Sequence, residues 1–131
     1  MLKKAAYLFG TVFVLVGVLG FVPALTPDGK LLGIFDVGPL HNIIHLLSGV
    51  VAFAMGASGE KVAKYYFQIF GAVYALVTVV GFVQGDTVLG LIGVNFADNV
   101  LHLAIAVAAL YLGFGVKAEG GSTPAAAKPA A

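Results

Sequence analysis

The chain has 131 residues, of which 60% are hydrophobic and only 10% charged, with a net charge of +1. Its mean hydropathy is +1.04, whereas a soluble domain carries roughly 25% charged residues, so lipid is the natural solvent for most of this chain. It has no cysteine and no arginine, which excludes disulfides, thiolate chemistry and guanidinium clamps on phosphate, and the small net charge argues against a nucleic-acid partner.

Four stretches meet or approach the ~20 apolar residues that a membrane-spanning helix needs: Ala5–Val22, Pro39–Ala57, Ala63–Val83 and Ala97–Val116. Lys3 and Lys4 before the first give it the look of a signal peptide. The run is longer than the usual ~7–15-residue signal core, and a retained helix is expected. A loop follows, with a turn at Thr26-Pro27-Asp28-Gly29. Leu31–Phe35 is apolar but too short to span, so it is expected at the interface or folded over the bundle.

Pro39 opens the second helix at the first helical position, where its missing N–H costs nothing. Ser58–Lys61 is a short polar connection to the third helix, which has Tyr65 and Tyr66 at its entrance. A second short apolar loop, Val88–Val94, precedes Asn95, a helix N-cap, with Asp98 in the first turn of the fourth helix. Residues 117–131, rich in Gly, Pro and Ala, are expected to form a disordered tail beyond a transmembrane domain at 1–116. Of the seven lysines only Lys30 falls in the loops that join the first span to the second and the third to the fourth, which hold Asp28, Asp36 and Asp86. The positive-inside rule therefore places both termini in the cytoplasm of a multi-pass protein of the bacterial cytoplasmic membrane.

The chain repeats itself. Lys3–Val22 matches Lys64–Val83 at an offset of 61, with identities at Phe9/Phe70, Gly10/Gly71 and Gly20/Gly81 among others. Leu32–Gly56 matches Leu89–Gly113 at an offset of 57, including Gly33/Gly90, Asn42/Asn99, His45/His102 and Gly56/Gly113. The expected architecture is an all-α membrane protein of two tandem helix–loop–helix repeats, about 3–56 and 64–113. They would be related by a pseudo-twofold axis along the membrane normal.

The stretches Leu40–Gly49, Phe70–Tyr74 and Asn95–Leu103 carry a resemblance. The chain resembles a bacterial family of small four-span integral membrane proteins, domain of unknown function 4383, over nearly all of Lys3–Val116. The resemblance implies a four-helix envelope protein and brings no activity, cofactor or catalytic residue.

His41 and His45 lie four apart on one helix, as do Asp98 and His102 on another; Asn42 and Asn99 stand three residues before their histidines. Below His45 run Gly49, Ala52 and Gly56, and below His102 run Ala106, Ala109 and Gly113. Small residues let membrane helices approach closely, so both faces are expected to point inward. One reading makes the asparagines and histidines structural, bonding across helices. In a second, His45 and His102 face each other and ligate a haem iron axially. In a third, His41, His45, Asp98 and His102 bind a divalent metal. A fourth uses His45 and His102 to handle protons.

No Ser–His–Asp arrangement surrounds Ser48, Lys61 and Lys64 read as topology charges, and no proline breaks a helix midpoint in the manner of a transporter. The sequence therefore points to a non-enzymatic membrane scaffold or accessory subunit, with no assigned cofactor. Its partners would be the lipid bilayer and another membrane protein or a second copy. A haem- or metal-binding redox or proton-handling protein using His45 and His102 is the alternative.

Overall fold

A computed structural model describes residues 1–120 and 130. Four long helices dominate it: α1 (Leu2–Leu19), α2 (Pro39–Ala57), α3 (Glu60–Gln84) and α4 (Phe96–Leu110). A π-helical turn, Tyr111–Gly115, extends α4 so that all four are long and apolar enough to cross a membrane. The expected tail falls largely on residues outside those described.

Helix α1 begins and ends three residues before its expected span. Glu60 explains the start: its carboxylate accepts from the backbone N–H groups of Leu2 (3.0 Å) and Lys3 (3.2 Å) and meets the Met1 amino group at 2.8 Å. A side chain from another helix thus supplies the acceptor that no α1 residue provides. Pro23 accounts for the stop, because the residue before a proline leaves helical geometry, and Val22 is extended. The terminal carbonyls of the fourth span are met by α3 side chains, with Gln68 donating to Gly113 O (2.9 Å) and Lys64 to Val116 O (3.0 Å). The start of α1 and the end of the fourth span thus lie at one end of the bundle, beside the first turns of α3.

The other end departs from an all-helical reading. Each apolar loop folds into a small antiparallel hairpin, β1 (Lys30–Leu31) with β2 (Phe35–Asp36) and β3 (Thr87–Val88) with β4 (Ile92–Gly93). Two consecutive left-handed residues turn each one: Leu32-Gly33 (φ 55° and 72°) and Leu89-Gly90 (φ 56° and 67°). Glycine adopts that conformation freely; leucine does so at a cost of about 1–2 kcal/mol. The two pairings fall in the same register 57 residues apart, Leu31 with Phe35 and Val88 with Ile92.

Helices pack in sequence-adjacent pairs, α1 on α2 and α3 on α4. Small residues set the spacing. A Cβ at Gly49 would lie 2.8 Å from Gly10 O, and one at Gly113 2.6 Å from Gln68 N. Gly10 receives Phe53, and Gly71 receives Leu110 in the corresponding place. An apolar cluster of Leu2, Ala6, Ala52, Phe67 and Ala109 fills the terminal end, and Phe13, Tyr74 and Ala106 fill the middle.

Large apolar residues such as Leu8, Leu47, Leu76 and Val107 point outward, while seven polar residues, six of them on α2 and α4, are buried. Only about a third of each span is buried inside the protein. Apolar outside and polar inside is the arrangement of a membrane protein.

Candidate functional site

The first two turns of α2 bring in His41, Asn42 and His45; those of α4 bring in Asp98, Asn99 and His102. None of the six is more than 8% exposed. They are inside because the small-residue stripes beneath them dock each helix on its neighbour, which turns the polar face inward.

The asparagines do not reach the histidines. Asn42 lies against Gly20 and Asn99 against Gly81, at contacts a side chain on either glycine would occupy. Their Oδ1 atoms have no hydrogen-bond partner.

Asp98 is also turned away. Its Oδ2 accepts from Asn95 N (2.9 Å) and from Asp36 N of β2 (3.0 Å), while Asn95 Oδ1 accepts from Asp98 N (3.0 Å). The result is a reciprocal cap at the start of α4. Asn95 Nδ2 adds a bond to Ile34 O (2.7 Å), so the cap of α4 also holds down the first hairpin.

Three histidines are brought together. His41, His45 and His102 each offer a ring nitrogen, and these atoms lie within 4.8 Å of one another. Ring centroids are 4.4 Å apart for His41 and His45, and 6.0 Å for His41 and His102. The Nδ1 atom of every one is buried without a hydrogen-bond partner. Phe13 packs edge-on to His45 (5.6 Å) and Tyr74 to His102 (5.5 Å), fixing the rings from below.

Imidazole is the commonest protein ligand for transition metals, and three of them suit zinc, iron or copper with a position left open. Zinc–nitrogen bonds of 2.0–2.1 Å put tetrahedral ligands roughly 3.3 Å apart. Small ring movements would close the present set on an ion. A haem has less room, since the small-residue stripes are filled by the partner helix of each pair.

A cavity of about 460 Å³ opens from the three histidines and runs between α2 and α3. Ser48, Val51 and Met55 line one wall, Ile69, Val73 and Tyr74 the other. Its volume is in the range of small-molecule sites.

A family model for a domain of unknown function, DUF4383, matches residues 3–115. The chain belongs to this family. No curated protein and no solved structure matches it.

Tyr66 is a lining residue that the sequence disguises. It reads as an interface anchor beside Tyr65, yet it is buried while Tyr65 is exposed. The spacing Tyr66, Phe70, Tyr74 places all three on one face, a signal that marks the wall. The Tyr66 hydroxyl is buried without a partner. Because burying an unpaired hydroxyl is unfavourable, Tyr66→Phe should leave the protein as stable as before or more so, by up to about 1 kcal/mol. Thermal unfolding in detergent checks this, and a marked loss of stability would mean that the hydroxyl is bonded in the working protein.

Proposed function

We propose that this is a membrane-embedded metal-binding protein in which His41, His45 and His102 hold one divalent transition-metal ion. The observation that supports it is the convergence of three buried imidazoles whose Nδ1 atoms lack partners. A purely structural scaffold gives those nitrogens no role, and leaving them unpaired is costly. The ion would sit at the hairpin end with one face toward the α2–α3 cavity, as in sites that admit an exogenous ligand.

The same reading includes the chain's organisation. The equal hairpin registers at an offset of 57 and the paired contacts Gly10–Phe53 and Gly71–Leu110 support descent from a duplicated helix–loop–helix unit. His41 and Asp98 then stand at equivalent positions that have diverged, one toward the ion and one toward a cap. Lysines at the terminal end support a cytoplasmic location for both termini, which puts the ion near the opposite face of the membrane.

Cobalt(II) is a coloured stand-in for zinc. Purified protein should take up one equivalent and develop the visible bands of a nitrogen-rich four-coordinate site. Alanine at His41, His45 or His102 should each weaken binding at least 100-fold, since losing even an outer partner of a ligand costs 10–100-fold. Cobalt uptake that is absent, or unaffected by all three substitutions, would refute the assignment.

A further inference from the structure

The chemistry of the cavity narrows what else could meet that ion. A divalent cation held by three imidazoles keeps its full charge of +2, because imidazole ligates as a neutral group. The surroundings are apolar, where an uncompensated charge is expensive. Among the described residues no acidic side chain lines the cavity. Asp98 and Asp36 lie outside that lining. Asp98 accepts from two backbone N–H groups, and Asp36 pairs with Lys30 at 3.2 Å. The cavity wall itself thus offers the ion no negative charge, and the open position on the ion is left to an exogenous anion.

That anion must be joined to hydrocarbon. From His45 to Met55 the slot follows ten residues of α2, roughly 15 Å. Beyond Ser48 its walls are almost wholly aliphatic and aromatic, and its rim is formed by half-exposed residues, Val51 and Val73, that face the bilayer. A small inorganic anion would satisfy the ion and leave this slot unused.

We propose, resting on the metal assignment above, that the cavity binds a free long-chain carboxylate, its head on the ion and its alkyl chain along the slot between α2 and α3. The binding is reversible and involves no bond other than coordination. The carboxylate offsets one of the ion's two positive charges, and the chain enters sideways from the membrane past Val51 and Val73.

The test uses the full chain, loaded with cobalt, in nanodiscs of zwitterionic phospholipid. Acetate, hexanoate and decanoate are added in turn, with decylamine as a cationic control. Decanoate should perturb the cobalt bands at far lower concentration than acetate, with affinity rising up to about fourfold per methylene, the equivalent of 0.8 kcal/mol. Partition into lipid alone would also favour long chains, so a second variant is needed. Val73→Trp fills the slot from its exposed rim; it should keep the cobalt spectrum and the acetate response and weaken decanoate at least tenfold.

Equal binding of decanoate by native protein and Val73→Trp would overturn the proposal, as would an equal response to decylamine. If anionic phospholipid added to the nanodisc reproduces the shift without any free carboxylate, the head group is a phosphate and the proposal is likewise wrong. Failure of cobalt to bind through the histidines would remove the metal assignment and this inference together. Normal cobalt bands that no carboxylate changes would remove this inference alone.

Discussion

Valine at Gly49 forces α1 off α2 and costs about 3 kcal/mol or more, the upper part of the overpacking range. The reason is what lies opposite. Even a single methyl at this position would fall 2.6 Å from Val14 Cγ2, 2.8 Å from Gly10 O and 2.9 Å from Val14 N. Two of those atoms are backbone, which cannot swing aside as a side-chain tip can. The lost contact is also a large part of what holds the pair, since close van der Waals packing drives helix association in a bilayer. His45 sits one turn from Gly49, so the same substitution should weaken cobalt binding. Loss of helical circular dichroism on heating in detergent measures the first effect. Gly38→Ala is the control, because nothing lies within 4 Å of a Cβ there. Near-native stability of Gly49→Val would show that α1 and α2 do not meet along this line.

The four spans were legible because the bilayer imposes a length and a composition on each, and because Pro39 and Asn95 mark two of the starts. The start of α1 was not, since it depends on Glu60, 58 residues away from Leu2. Nor were the hairpins: Leu32 and Leu89 adopt left-handed backbone that leucine disfavours, and only the following glycines hint at a turn. At the site, helical spacing correctly put His41 on the face of His45 and turned both inward. It also put Asp98 on the face of His102, and there a shorter-range rule prevailed. Asn95 and Asp98 are three apart at a helix start, the spacing of a reciprocal cap, and the cap claims the carboxylate. The cavity could not be read at all, because it depends on how far α2 stands from α3 and no local pattern encodes that distance.

Asp98→Ala should cost about 3 kcal/mol, because two backbone donors lose their acceptor at once. Asn95 N belongs to the cap of α4, a contribution of about 1 kcal/mol. Asp36 N belongs to the first hairpin, and a buried donor left unpaired costs a further 1–3 kcal/mol. Asp98 is 3% exposed, so water cannot readily replace the carboxylate. Asp98→Asn retains one acceptor oxygen and should recover roughly half the loss. The pair also separates two roles for this residue. If Asp98 only positions the hairpin and the start of α4, Asp98→Asn leaves the cobalt bands where they were, and Asp98→Ala lowers affinity by no more than about tenfold, the lower end of the effect of a supporting group. A shift of the bands in Asp98→Asn would mean that the carboxylate leaves its cap to join the three histidines, and the cap geometry would then not be that of the metal-bound protein.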